Sequence, residues 1–360
     1  MMANYIAALM EKLPASLDCG IVTSPMNRRY LTGFCSSAGI LVLTHTKSYF
    51  LIDFRYIEKA KQDVDRSVCD VILLENQNSQ LAEIFSRHAV QTVGVEADYI
   101  TLNDYHSFCK AFPKQQFVDS REFSDVIAGM RIIKAEWEID KIVAAQRIAE
   151  QAFDEILQFI KPGVSERDIA LNLDFSMRRA GAEDISFSTI AVSGKNSSLP
   201  HGTPGNKLVE NGDFVTMDFG ALLDGYHSDM TRTVAVGYAT EEMQRVYDTV
   251  LEANRLGIAA VRAGITGMEV DRISRSFIEA QGYSGCFGHG LGHGVGLDIH
   301  EAPSLSPRGD IVLQPNMVVT IEPGVYLENK FGIRIEDMVV VTENGCKNLT
   351  RSSKDLMILK

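Results

Sequence analysis

Five of the eight histidines fall between His201 and His300, among many Asp and Glu residues bounded by glycine, and clustering of this kind points to a site. The run Phe214-Val215-Thr216-Met217-Asp218-Phe219-Gly220 predicts a strand that delivers Asp218 near its end. After a turn containing Gly225 the chain returns through Ser228-Asp229-Met230-Thr231-Arg232-Thr233-Val234, and a hairpin of this length can aim both carboxylates at one point. Between Gly288 and Gly296, His289 and His293 stand among five glycines, where bare backbone allows close approach of a ligand or metal. Val318 to Ile321 is an apolar strand ending on Glu322. In Gly332-Ile333-Arg334-Ile335-Glu336-Asp337, strand alternation puts Arg334 and Glu336 on one face, with Ile333 and Ile335 on the other.

Asp218, Asp229, Glu322 and Glu336 brought together would repel strongly, and folds seldom bury several carboxylates without compensation. Two divalent cations would supply it. Oxygen-rich ligation with one imidazole, His293, suits Mn²⁺ best, with Co²⁺ or Zn²⁺ as alternatives, and argues against a thiolate zinc site. Two metals held ~3.5–4 Å apart can share a hydroxide at neutral pH, so hydrolysis is the natural chemistry. Taken singly, each acid would read as a surface turn or salt bridge. The glycine-rich stretch is no phosphate loop, since neither Gly-Lys-Ser/Thr nor a dinucleotide spacing follows. His227, beside Ser228-Asp229, reads as a structural or supporting residue, whereas His45, His88 and His106 have no such company and read as surface groups.

The elements that must position these residues follow from periodicity. From Ile21 to about Val118, short apolar runs such as Gly39 to Leu43 and Tyr49 to Ile52 alternate with helix-like segments such as Tyr56 to Val64 and Leu81 to Arg87, predicting a small α/β domain. The pattern breaks between Arg121 and Ile133. Lys134 then opens a long amphipathic helix that Pro162-Gly163 stops. A boundary near residue 128 therefore divides the chain into domains 1–128 and 129–360. Within the second, Gly163, Ser165, Asp168 and Gly181 recur as Gly264, Thr266, Glu269 and Gly282 at an offset of 101 residues. Each copy predicts helix, turn, capped helix, then strands, and two such halves would pack about a pseudo-twofold axis with a cleft where their strands meet.

The chain of 360 residues, 45% hydrophobic and 23% charged, is that of an ordinary folded protein. A net charge of -12 argues against nucleic acid as a partner. Six scattered cysteines without a close pair fit reduced thiols in a cytoplasmic protein. No signal peptide and no membrane span is expected, because no apolar run approaches ~18 residues.

These motifs together resemble the pita-bread metallopeptidases, and within them the aminopeptidase P and prolidase (Xaa-Pro dipeptidase) branch. The match runs through Ser193 to His201, Met217 to Gly220, Ser228 to Thr233, His289 to His293, Thr320 to Gly324 and Arg334 to Asp337. Asn27 to Phe34 and Asp53 to Tyr56 resemble that branch's N-terminal, creatinase/prolidase-like domain, so the likeness covers essentially the whole chain. The resemblance implies a small N-terminal α/β domain followed by a pita-bread catalytic domain. It implies Asp218 on one metal, His293 and Glu322 on the other, Asp229 and Glu336 shared, and Glu322 handling the proton of the attacking water. His201, His289 and His300 would line the substrate cleft, and Arg334 and Tyr326 would orient Asp218. It further implies a homodimer that hydrolyses the bond before proline at a peptide's N-terminus by a metal-bridging hydroxide. Two alternatives stay open: a methionine-type aminopeptidase of the same fold, and a catalytically silent peptide- or protein-binding member.

Overall fold

Runs rich in β-branched and aromatic residues become strands where both faces can be buried. The computed structural model describes residues 5–360, in which two compact units divide between Arg131 and Ile132. In the first unit, six strands form one sheet in the order Cys69–Leu73, Ser48–Ile52, Ile40–Thr44, Cys19–Val22, Thr92–Val95, Gln116–Val118. Only Ile40–Thr44 runs antiparallel to its neighbours. It and Ser48–Ile52 are buried along their whole length. Helix Gln77–Arg87 starts where the Asn76 side chain accepts the amide of Ser79, and it lays Leu81, Ile84 and Phe85 onto this sheet's core.

Three sequence expectations are corrected here. The stretch Arg121 to Ile133, where periodicity breaks, is mostly helix, Glu122–Ile132, with Phe123, Ile127 and Met130 buried. His88 does have company, because its Nε2 is 2.7 Å from the Tyr49 hydroxyl and the two rings meet edge to face. The long helix of the second unit, Glu136–Ile156, ends before Pro162, its last turn loosening into 157–159.

The second unit, Ile132–Lys360, repeats one pattern. Helices Glu136–Ile156 and Glu166–Arg179 precede a four-stranded sheet ordered Ile358–Leu359, Met230–Val236, Phe214–Phe219, Ile190–Ser193. Helices Glu241–Ala260 and Gly267–Ile278 precede a five-stranded sheet ordered Glu301–Leu305, Gly292–Gly294, Val318–Ile321, Asp337–Thr342, Gly345–Asn348. The repeated caps are alike in detail: Ser165 accepts the amide of Asp168, and Thr266 accepts that of Glu269. Each turn pairs with a returning segment in the same way, Gly163 N to Val209 O and Gly264 N to Leu313 O, then Arg167 N to Gly205 O and Met268 N to Gly309 O. Two apolar cores form, one within the first copy around Phe153, Leu173 and Met217, the other around Val250, Leu291 and Ile321, which also takes in Phe214 and Ala235 of the first copy.

Candidate metal centre

The acids arrive at strand ends, where the chain leaves its ladder and side chains turn inward. Asp218 is the penultimate residue of Phe214–Phe219, Asp229 directly precedes Met230–Val236, and Glu322 directly follows Val318–Ile321. Glu336 departs from the alternation argument: it lies in the two-residue link between strands Phe331–Arg334 and Asp337–Thr342. That link still turns Arg334 and Glu336 into one cavity, because the Glu336 amide donates to Thr231 O at 3.1 Å and Arg232 Nη1 donates to Glu336 O at 2.6 Å.

A cavity of about 480 Å³ is lined by nine of the ten residues singled out from sequence: Asp218, Asp229, His293, Glu322, Glu336, His201, His289, His300 and Arg334. Tyr326 stands one layer behind, its hydroxyl accepting from Arg334 Nη1 at 2.7 Å. Arg334 also donates to Asp218 Oδ2 at 2.6 Å and to Thr231 Oγ1 at 3.1 Å, and Thr231 in turn donates to Glu336 Oε2 at 2.8 Å. His227 stays outside the lining; its Nδ1 meets Ser186 Oγ at 2.7 Å. Sequence reasoning missed Thr231 as a carboxylate partner, although it stands within the Ser228 to Thr233 motif. It also missed the rim residues Phe187, Ser188, Ile190, Ser304 and Ser306, for which composition offers no signal.

Ligand atoms of Asp229, His293 and Glu336 all lie within 4.8 Å of one another. His293 Nδ1 lies 3.0 Å from Gly294 O, a carbonyl that can only accept, so Nδ1 carries the proton and Nε2 presents a lone pair. That lone pair points at Asp229 Oδ2, 3.5 Å away, and Glu322 Oε1, 3.7 Å away. Burial holds the His293 pKa down at about 4, so protonation does not relieve the contact at neutral pH. Asp218 Oδ1 and Glu336 Oε1 are buried without a hydrogen-bond partner. Burial, then Glu336 and Asp218, raise Asp229 well above the usual carboxylate range. Glu322 is raised by burial and then by Glu336, and Glu336 is pushed up to about 8 by burial and by Asp218. An assembly of acceptors facing one another, with Arg334 the one cation lining the cavity among the described residues, is the environment a divalent ion satisfies. The donor set, carboxylate oxygen with one imidazole, fits such an ion.

His289 is held neutral, its pKa lowered to about 4 by burial and by Arg334. Its Nδ1 faces Gly290 O at 2.8 Å, so its Nε2 accepts from the Tyr326 hydroxyl at 2.9 Å. His293 and His300 meet edge to face with centroids 4.4 Å apart, and His201 and His300 are exposed at the cavity mouth.

Residues 140–343 match the model of metallopeptidase family M24, and residues 6–133 match the creatinase/prolidase N-terminal domain. The uncharacterized peptidase YqhT of Bacillus subtilis is 42% identical over 95% of this chain and 96% of its own. Among solved structures, an Xaa-Pro dipeptidase from Bacillus anthracis superposes with a TM-score of 0.93 at 39% identity, covering 99% of this chain and 98% of that one. An X-Pro aminopeptidase from Thermotoga maritima superposes with a TM-score of 0.90 at 36% identity, covering 97% and 99%. The acid-lined cavity and its two-copy scaffold are thus those of a metallopeptidase, and the chain belongs to family M24, with a pita-bread domain following a creatinase/prolidase N-terminal domain.

Proposed function

We propose that this protein is a proline-specific metallo-exopeptidase that hydrolyses the bond preceding proline at a peptide N-terminus. The observation that carries its metal dependence is the His293 Nε2 lone pair facing two carboxylates beside two partnerless buried oxygens, and its proline preference rests on the likeness to the Xaa-Pro dipeptidase and X-Pro aminopeptidase. Asp218 would hold one divalent cation, His293 and Glu322 a second, with Asp229 and Glu336 shared, as the likeness to the proline branch implies. Such ions, Mn²⁺ first and Co²⁺ or Zn²⁺ as alternatives, supply Lewis acidity at a scissile carbonyl and render water acidic enough to ionise near neutral pH.

The chain's own groups do the remaining work. Glu322, 3.9 Å from His289 Nδ1, takes the proton of the attacking water. Arg334 fixes Asp218 and, through Tyr326, the ring of His289. His201 and His300, at the mouth, donate to the carbonyl oxygen as charge develops or return a proton to the leaving amine. A dedicated enzyme suits proline, whose tertiary amide lacks a donor. We further assign the protein to the cytoplasm, in keeping with its six free cysteines, and to a homodimer, as the likeness to the proline branch implies. None of the described helices is long and apolar enough to cross a membrane.

Metal content by elemental analysis, combined with turnover of Xaa-Pro dipeptides, Xaa-Pro-Yaa tripeptides and Met-initiated peptides, tests the reading. About two divalent ions per chain and hydrolysis confined to the proline substrates are expected, and the preferred length decides dipeptidase against aminopeptidase. Cleavage of the methionine peptides alone would favour the methionine-type alternative, and a metal-loaded but inert protein would favour a binding module.

A further inference from the structure

The segment carrying Pro200 and His201 leaves strand Ile190–Ser193, turns through Gly194–Ser198, and returns at Gly205. Both feet of this loop stand on one side chain, Glu166, at the start of helix Glu166–Arg179. Glu166 Oε1 accepts from Ser193 N at 2.7 Å, Ser193 Oγ at 3.0 Å and Asn196 Nδ2 at 3.1 Å. Its Oε2 accepts from Asn196 Nδ2 at 3.2 Å and Gly205 N at 3.2 Å. The residue is fully buried. The loop's middle is tied separately, by Ser197 Oγ accepting from Gly332 N at 2.9 Å and Pro200 O accepting from Arg334 Nη1 at 3.2 Å.

The second copy of the repeat shows that this position does not need an acid in order to fold. The residue in register with Glu166 is Gly267, where an added Cβ would stand 2.2 Å from Ser304 O. There the segment running from His300 to Gly309 rests its backbone directly on the helix start. The two exposed histidines thus stand on equivalent loops, one seated by backbone contact and the other by a buried carboxylate. A buried carboxylate is costly unless its acceptor capacity is met, and here every donor that meets it belongs to a foot of the His201 loop.

We infer that Glu166 is a positioning residue that sets the place of His201 at the cavity mouth, without touching substrate or metal. This rests on the reading of His201 as a substrate-facing group in the proposed peptidase. The test is a double-mutant cycle on the full-length, metal-loaded protein with an Xaa-Pro substrate. His201→Ala sets the reference. Glu166→Gln, which turns an amide NH₂ toward the loop's own donors, is expected to lower kcat/KM by about tenfold, a part of the ~10²-fold or more that a positioned proton donor contributes. Metal affinity, read by competition with a chromophoric chelator, is expected to stay at the wild-type value. The double variant should be no slower than His201→Ala alone.

Wild-type kcat/KM in Glu166→Gln, multiplicative losses in the double variant, or a parallel loss of metal would each overturn the inference. Should Glu166→Gln fail to fold, Asn196→Leu removes one foot's side-chain donor and is judged by the same criteria. A wild-type protein that binds metal and cleaves Xaa-Pro bonds, but is indifferent to His201→Ala, overturns this inference while the proposed function stands. A wild-type protein that does neither overturns the function itself.

Discussion

At the scale of single residues, the centre is a contest between burial and charge. Glu336, whose ordinary pKa is 4.5, is held at about 8 in the metal-free protein, chiefly by burial and then by Asp218. A group whose pKa rises on folding stabilises the fold fully below its unfolded value, and that contribution is lost as pH climbs through the folded one. The metal-free protein should therefore lose melting temperature between about pH 4.5 and about pH 8, with Glu322 and Asp229 shifted in the same direction. Cations compete with those protons, so the gain in melting temperature on adding Mn²⁺ should be larger near pH 8 than near pH 5. Equal gains at both ends would contradict the raised acids. Asp229→Ala and Glu336→Ala should abolish metal binding and turnover together, whereas His300→Ala should lower turnover ~10²-fold or more and keep the metal. Elemental analysis alongside a peptide assay separates these outcomes, and a metal-free His300→Ala protein would refute its placement at the mouth.

At the scale of elements, the centre depends on how closely strands approach. Gly292 opens the strand that carries His293, and a Cβ there would stand 2.0 Å from Thr320 O in the strand ahead of Glu322. Gly292→Ala must part these two strands, at a cost of about 1–3 kcal/mol by analogy with overpacked cores, and should weaken metal binding with it. Denaturant melts and chelator competition measure the two effects, and an unchanged affinity would show that the strands can separate without moving His293. Much of this architecture was legible beforehand, because each acid stands beside an apolar run and because Ser165 and Thr266 announce two equivalent caps. Other parts were not. The break between Arg334 and Asp337 is invisible to alternation, which reports side-chain direction but not where ladder hydrogen bonds stop. Helix Glu122–Ile132 was hidden because its apolar stripe is only three residues long, Phe123, Ile127 and Met130, and Gly129 lowers its helix propensity. The rim formed by Phe187, Ser188, Ser304 and Ser306 depends on where loops come to rest, which no local propensity encodes.

At the scale of the whole molecule, the net charge of -12 leaves the acids of the cavity as a small share of an acidic surface, so charge alone did not locate the site. Placement did. Asp218 and Asp229 come from the first copy of the repeat, and His293, Glu322 and Glu336 from the second. Amide hydrogen exchange followed with and without chelator should show both sets of strand ends, 214–219 with 230–236 and 318–321 with 337–342, opening together when the ion is withdrawn. Protection lost in one set only would mean that the ligands are not shared between them. The cation of such an enzyme is thus a rivet as much as a reagent: at a seam otherwise held by Arg334 on Asp218 and Thr231 on Glu336, it joins the two halves at the one point where their acids face each other. Scarcity of the ion would then loosen the protein as well as silence it, making metal supply a control on the lifetime of the molecule as well as on its rate.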